Sequence, residues 1–317
     1  MQDKTILVTG GCGSFGKEFV KAILELNPKQ VRVYSRDEYK QASMKEELND
    51  PRIEYFIGDV RDSERLEMAM EGVDICVHAA AMKRIEKCET DPQETIKTNV
   101  NGSVNVANAC LKKNVKCAIL ISTDKAVYPV NLYGATKLTA EKVWIQSNTY
   151  RGLAHPTKFC VVRYGNVLGS RGSVIGMFKD QLEKGVIKVT DQRMTRFFIT
   201  LQQAVDLVCI AIEMGQGGEI FIPQLKATSI YHLATLVAGQ IPIEITSQRG
   251  GEKLHESLVT KEEKDRMVSE PSFSVINPEI TTWPYIKWVS EWRNWTENSS
   301  TAEQYNDDEL RSLLQLT

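Results

Sequence analysis

A short apolar run, Thr5-Ile6-Leu7-Val8, breaks directly into Thr9-Gly10-Gly11-Cys12-Gly13-Ser14-Phe15-Gly16 and then into the amphipathic stretch Lys17-Glu18-Phe19-Val20-Lys21-Ala22-Ile23-Leu24. That order constrains the chain to a strand, a tight turn and a helix. Gly10 serves the turn, Gly13 lets backbone approach a pyrophosphate, and Gly16 lets helix and strand pack closely. Ser14 and Phe15 open the helix, whose N-terminal amides face the phosphates. Three glycines alone also occur in chance turns. Here a second strand, Val31-Arg32-Val33-Tyr34, follows at the right distance, so a dinucleotide-binding unit is expected.

The residues at the end of that second strand, about 20 positions beyond the last glycine, discriminate between the two nicotinamide cofactors. Ser35, Arg36 and Lys40 stand there. Arg36 and Lys40 suit a 2′-phosphate, which favours NADP, whereas the neighbouring Asp37 argues for a bare ribose. Ile53–Ile57 reads as a third strand, with Asp59 and Val60 just beyond it placed to touch the adenine. A charged helix from Asp62 leads to a fourth strand, Asp74–His78, which ends in Ala79-Ala80-Ala81. Small residues there let a cofactor lie against backbone. Lys83 follows, as a substrate ligand or as a solvated loop lysine. Asp91 through Lys113 reads as one long helix with Pro92 in its first turn.

Cys117-Ala118-Ile119-Leu120-Ile121 is a buried strand that delivers Ser122, Thr123, Asp124 and Lys125 to the carboxyl edge of the sheet, where open α/β folds place their chemistry. Asn131 can cap a helix running from Tyr133 to Tyr150, on which Tyr133 and Lys137 share one face. An ammonium beside the phenol is expected to pull its pKa down from about 10, making Tyr133 an acid/base near neutrality. With ten tyrosines in the chain, a Tyr-x-x-x-Lys pair arises about once by chance. The neighbouring Thr123-Asp124-Lys125 and the opening glycine motif are what give this one weight. A further strand, Phe159–Arg163, completes an alternation of strand and helix that predicts a doubly wound parallel sheet.

The second half changes character. Tyr164-Gly165-Asn166-Val167 and the glycine-rich Gly169 to Ile175 read as loops for a polar ligand, with Asn166, Ser173 and Val174 as candidate contacts. Arg196 and Arg249, the latter in Gln248-Arg249-Gly250-Gly251-Glu252, would make a guanidinium pair for a diphosphate, although each alone is more often a surface arginine; Glu252 is a further candidate contact. Leu201–Met214 reads as a helix and Ile220–Ile222 as a strand. Trp283, Trp288, Trp292 and Trp295 suggest core packing or a subunit contact. Residues 1–165 are expected to form the NADP-binding domain and residues 166–317 mainly a smaller substrate lobe, with the segment around 197–223 packing back on the first domain.

A net charge of −2 without a basic block gives no nucleic-acid footprint. Seven scattered cysteines, none in a Cys-x-x-Cys pair, fit thiols in a reducing compartment, and four unclustered histidines predict no metal site. The chain enters a strand at once and has no apolar run near the ~18 residues of a membrane span, so a cytoplasmic location without membrane attachment is expected.

Together, Thr9–Gly16, Tyr34-Ser35-Arg36-Asp37-Glu38, Ser122-Thr123-Asp124-Lys125-Ala126, Tyr133-Gly134-Ala135-Thr136-Lys137 and Arg163-Tyr164-Gly165-Asn166-Val167 resemble the extended short-chain dehydrogenase/reductases. Within them the chain is similar to the soluble C5-inverting UDP-N-acetylglucosamine 4,6-dehydratases that begin pseudaminic acid synthesis. Gly251–Glu256 and the tail from Ser299 to Leu314 extend the resemblance over nearly the whole chain. It implies a Rossmann fold, NADP, a UDP-sugar substrate and a homo-oligomer, dimer or hexamer. It makes Asp124, beside Thr123, the acid, Lys125 the base, Tyr133 the base of the hydride step and Lys137 the ligand of the nicotinamide ribose. Lys125 is expected to be neutral through burial and nearby cations. Arg84, Glu86 and Gly176 depart from the family pattern near the sugar. A 4-epimerase would share Tyr133 and Lys137 but has no use for an Asp124-Lys125 pair, and a non-catalytic NADP-sensing protein would be expected to have lost one of the first two. Retaining relatives are expected to carry Met in place of Tyr133.

Overall fold

Thr5–Thr9 (β1), apolar through Ile6, Leu7 and Val8, is buried along its whole length because a parallel strand lies on each side and helices cover both faces of the sheet. The computed structural model describes residues 1–151, 157–170, 172–248, 250–290 and 294–314. After β1 come Gln30–Ser35 (β2), Ile53–Ile57 (β3), Ile75–His78 (β4), Cys117–Thr123 (β5), Lys158–Tyr164 (β6), Asn166–Val167 (β7), Ile187–Val189 (β8), Thr195–Ile199 (β9), Ile220–Pro223 (β10), Ala227–Ser229 (β11), Ile243–Ile245 (β12), Met267–Ser269 (β13) and Phe273–Ile276 (β14). Nine of them form one sheet in the order β13-β14-β10-β6-β5-β4-β1-β2-β3. From β10 to β3 every neighbouring pair is parallel, while β14 and β13 join antiparallel. This is the doubly wound α/β fold. The chain runs outward from β1 to β3 and then crosses back to β4, so the order reverses between β1 and β4. A crevice opens there at the carboxyl ends of the strands.

Helices cover both faces. Ser14–Leu24 and Leu201–Met214 pack together on one side, their apolar stripes joined in one core with β1 and β6. On the other, Gly102–Lys112 and Leu132–Gln146 close a second core around Trp144 and Phe159. Leu201–Met214 starts with a capping box, Thr200 accepting from the Gln203 amide while the Gln203 side chain reaches back. A third core lies under β8, β9 and the helices Val174–Leu182 and Ile230–Ala238.

Some expected boundaries move. The helix expected from Asp91 to Lys113 is broken by a π turn at Lys97–Asn101, which carries an extra residue. Leu132–Gln146 ends before Tyr150, in a 3₁₀ turn at Ser147–Arg151. The loop expected through Ile175 becomes a helix at Val174, with Ser173 at its N-cap, because Ile175 and Phe178 find an apolar face to bury. The main sheet takes β10 from the second half of the chain, and also β13 and β14, which carry residues beyond the segment around 197–223. Trp288 meets Phe221 and Phe273 edge-on and Trp283 is buried, which makes both core residues; Trp292 lies outside the described residues. Among the described residues no helix is long and apolar enough to cross a membrane.

Candidate active site

Gly10 sits directly at the crevice with φ +67°, and a Cβ built on it would lie 2.8 Å from the Ala80 amide nitrogen. Any side chain there would collide with the strand end that Ala79 and Ala80 form, so the glycine keeps two backbones in contact and leaves a groove above them. The Gly13 amide donates to Gly10 O (2.8 Å), and the helix Ser14–Leu24 that begins next has no side-chain cap. Its first turn therefore presents amides, not a capping hydroxyl, to the groove.

At the end of β2 the Ser35 hydroxyl donates to Cys12 Sγ (3.2 Å) and accepts from Gln41 Nε2 (3.1 Å). Gln41 also bonds Ser35 O and Phe56 O, which ties the ends of β2 and β3 together. Arg36 faces Asp59 at 3.6 Å and Lys40 is paired with Asp37. A cleft of about 400 Å³ beside them is lined by Lys17, Asp37, Tyr39, Lys40 and Ser43. Val60 is buried against Gly102, and Tyr34 donates to Asp59 O (2.9 Å).

β5 is buried and ends at Thr123, whose position as N-cap turns Asp124–Ala126 into a 3₁₀ turn. The Thr123 hydroxyl donates to Asp124 Oδ1 (2.9 Å) and also interacts with the Tyr133 phenol. Lys125 Nζ reaches Asp124 Oδ1 (3.0 Å) and Asn166 Oδ1 (3.1 Å) on β7. Thr123, Asp124 and Lys125 thus form one hydrogen-bonded series beside Tyr133. Asp124 is fully buried, and its Oδ2 has no partner among the described residues. Burial, with help from Glu256, pushes the Asp124 carboxyl above the usual range, so its carboxylate takes up a proton more readily than an ordinary one.

Two expectations about charge are corrected here. Burial drives the Tyr133 phenol up to about 12, not down, and the cation that opposes burial is Lys125. Lys137 instead donates to Ile121 O (2.7 Å), and burial lowers its own pKa to about 8. Burial also acts to lower Lys125, but the carboxylates of Asp124 and Glu256 outweigh it and hold this amine above its ordinary value. The resting side chain is an ammonium.

Two residues that the sequence did not single out, Asn99 and Glu256, complete the frame together with Asn131, the expected helix cap. Asn99, within the π turn, accepts from the Met82 amide (2.8 Å) and donates to Met82 O (2.9 Å) and Thr136 Oγ1 (3.1 Å), fixing the loop after β4 to the helix that bears Tyr133. Glu256 lies 3.6 Å from Lys125 and 2.8 Å from Lys253, whose Nζ also donates to Val127 O (2.7 Å). Asn131 caps the Tyr133 helix through Gly134 N (2.8 Å) and holds Gly251 O (2.7 Å) with its other end. Glu256 lay inside a stretch legible as a motif, whereas nothing local marks Asn99.

The substrate-side candidates are brought together only in part. Asn166 is at the centre. Arg196 is buried on β9 and spends its guanidinium on Thr195 O (2.7 Å), Leu254 O (3.2 Å) and Lys253 O (2.9 Å), so it does not stand as a free fork; Arg249 lies outside the described residues. Lys83 is exposed on the loop after β4. Ser173 and Val174 sit at the start of their helix, and Glu252 follows the Asn131 contact with a buried Oε2 that has no partner among the described residues.

Comparison with known proteins agrees with this geometry. A family model described as "Polysaccharide biosynthesis protein" matches residues 6–278. Over 280 residues the chain is 46% identical to the UDP-N-acetylglucosamine 4,6-dehydratase (inverting) of Campylobacter jejuni, covering 87% of this chain and 84% of that one. It is 43% identical over 270 residues to the UDP-glucose 4-epimerase of Rickettsia conorii, covering 82% and 79%. The X-ray structure of Pen from Bacillus thuringiensis superposes with a TM-score of 0.92 at 36% identity, covering 100% of this chain and 98% of that one. By its sequence match and its doubly wound fold, the chain belongs to the polysaccharide biosynthesis protein family of extended short-chain dehydrogenase/reductases.

Proposed function

We propose that this chain is a C5-inverting UDP-N-acetylglucosamine 4,6-dehydratase. The observation that carries the proposal is the Asp124–Lys125 pair, 3.0 Å apart and linked through Thr123 to Tyr133. Dehydration needs an acid for a departing hydroxyl and a base for the adjacent hydrogen; a 4-epimerase, the name borne by the Rickettsia relative, needs neither. The identity to the Campylobacter dehydratase supports the same choice.

The cofactor is a nicotinamide dinucleotide, and NADP is favoured. The cradle of Gly10, Gly13, Ser14, Phe15, Gly16, Ala79 and Ala80 fits a pyrophosphate and ribose, with Ser35, Asp59 and Val60 at the adenosine end. The exposed Arg36 and Lys40 side chains are engaged in surface ion pairs with Asp59 and Asp37, which are weak and readily exchanged for a phosphate. Lys137 has N–H donors beyond the one given to Ile121 O and would hold the nicotinamide ribose. A bound nicotinamide would supply a hydride acceptor for C4 of the sugar and a hydride donor for C6, with no net change over a turnover.

Tyr133, whose phenol rests protonated, acts as base only after giving that proton to solvent; the phenolate accepts the C4 hydroxyl proton, and the ketone formed at C4 acidifies the C5 hydrogen. Lys125 becomes the base by giving its proton along the 3.0 Å hydrogen bond to Asp124. An N–H bond breaks and an O–H bond forms, and this single transfer creates both the amine and the carboxylic acid. The amine then removes the C5 proton while Asp124 protonates the C6 hydroxyl, which leaves as water. That step returns the pair to ammonium and carboxylate. Delivery of a proton taken up from solvent to C5 from the opposite face inverts that centre, with Asp124 and Lys125 as candidates for the two faces. Lys83, Asn166, Ser173, Val174, Arg196, Arg249 and Glu252 are the proposed contacts of the UDP-sugar.

Incubation with UDP-N-acetylglucosamine, followed by mass spectrometry and proton NMR in deuterated water, tests the reading. The expected product has lost one water and carries deuterium at C5 of an L-arabino 4-keto ring. An isomer of unchanged mass would make the chain an epimerase, and a first product with the D-xylo ring would move it to the retaining group. Denaturing the protein and identifying the released nucleotide tests NADP; release of NAD alone would refute it.

A further inference from the structure

Glu256 is 2% exposed and belongs to the segment after β12, yet its carboxylate lies 3.6 Å from Lys125 Nζ. Burying a carboxylate costs several kcal/mol unless it is paired, and this one is paired three ways: Lys253 at 2.8 Å, Lys125 at 3.6 Å and Arg196 Nε at 3.9 Å. Its backbone is fixed as well. The Glu256 amide donates to Ser299 Oγ (3.0 Å), and the Ser299 amide donates to Glu256 O (2.8 Å). The carboxylate is therefore a stationary charge aimed at Lys125, with little freedom to retreat.

We propose that Glu256 is a positioning residue that acts through Lys125 and sets the pH range in which the Asp124–Lys125 pair holds the single proton it shares. The inference rests on the function proposed above and deepens it. Lys125 faces Asp124 on its own turn, Glu256 and Arg196 from the second half of the chain, and Tyr133 from the neighbouring helix. Lys253 reaches it only through Glu256. With Glu256 negative, the local balance is two carboxylates against Lys125, Lys253 and Arg196. Without it, three cations confront Asp124 alone. Protons then leave the pair more easily, so the ionisations that bound activity on both sides fall together. Loss of Lys253 has the opposite sign, because it leaves Glu256 undivided for Lys125.

The test is the pH dependence of kcat in three variants of the full chain. Glu256→Gln is expected to move the optimum about one to two pH units lower, Lys253→Met to move it higher, and Glu256→Asp to leave it near the parent. A role confined to packing would lower kcat at every pH and leave the optimum unmoved; that result, or shifts of the same sign in Glu256→Gln and Lys253→Met, overturns the proposal. Acetylation of Lys125 by acetic anhydride, followed across pH by peptide mass spectrometry in the ligand-free protein, reads the free amine without turnover. Its midpoint should move in the same directions. A parent protein that removes no water from UDP-N-acetylglucosamine would refute the proposed function, whereas acetylation midpoints that fail to separate the variants would refute the role of Glu256.

Discussion

A Cβ built on Gly134 would lie 2.1 Å from the carbonyl oxygen of Lys125. The helix that carries Tyr133 therefore rests backbone to backbone on the turn that carries Asp124 and Lys125, and only glycine allows that approach. Gly134→Ala must push the two apart. The expected cost is about 1–3 kcal/mol of stability, together with a fall in turnover of about 100-fold from misplacement on the order of 1 Å. Thermal unfolding and steady-state turnover measured side by side check both.

Asp124→Asn and Lys125→Ala should impair loss of water far more than oxidation at C4, because both groups act after the ketone has formed. Each is expected to lower product formation by about 10²–10⁴-fold while reduced nicotinamide still accumulates on mixing with substrate. Tyr133→Phe should suppress that first accumulation. Normal turnover by Lys125→Ala would show that the base has been misassigned.

Arg163 is 1% exposed and is gripped by Glu141 (2.7 Å), Glu263 (2.8 Å) and Leu258 O (2.8 Å). Arg163→Met removes one partner and strands two buried carboxylates. The expected destabilisation is about 3–5 kcal/mol, measured as a lower denaturation midpoint in urea.

His78 accepts or donates between Thr9 Oγ1 (2.7 Å) and Ser103 Oγ (3.1 Å), and burial lowers its pKa from 6.5 to about 3. Between those values the unfolded chain binds a proton that the folded chain does not, so this residue makes stability fall as pH drops from 6.5 toward 3. His78→Gln keeps hydrogen-bonding capacity without the titration. Its stability should decline less steeply than the parent's across that window in urea melts taken at successive pH values.

What was legible in the sequence was local. The Thr9–Gly16 turn, the polar end of β5 and the Asn131 cap each declare themselves within a few residues, and all three stand where they were expected. The charge states were not legible, because they depend on partners far along the chain. The ammonium expected beside Tyr133 was Lys137, but the folded chain turns that side chain to Ile121 O and sets Lys125 there instead. Lys125 is held protonated in part by Glu256, from a distant segment. Asn99 escaped notice because its role depends on a π turn, and the pattern from Asp91 to Lys113 reads as regular helix. Likewise, Val174 looked like loop because the partners of its helix, in β8 and Ile230–Ala238, come later in sequence.

The grip on Arg163 also has a history written into it. Glu141 is synthesised before Arg163, but Glu263 follows it by 100 residues, and β10, which covers the open edge of β6, also comes later. A chain emerging from the ribosome must therefore hold β6 with one edge bare and its guanidinium half-compensated until that later segment arrives, a state in which strand edges invite wrong partners. The stretch that ends the wait carries Glu256 as well as Glu263. Completion of the charge on Arg163 and completion of the charge around Lys125 thus both wait for this one stretch, which is synthesised after β10.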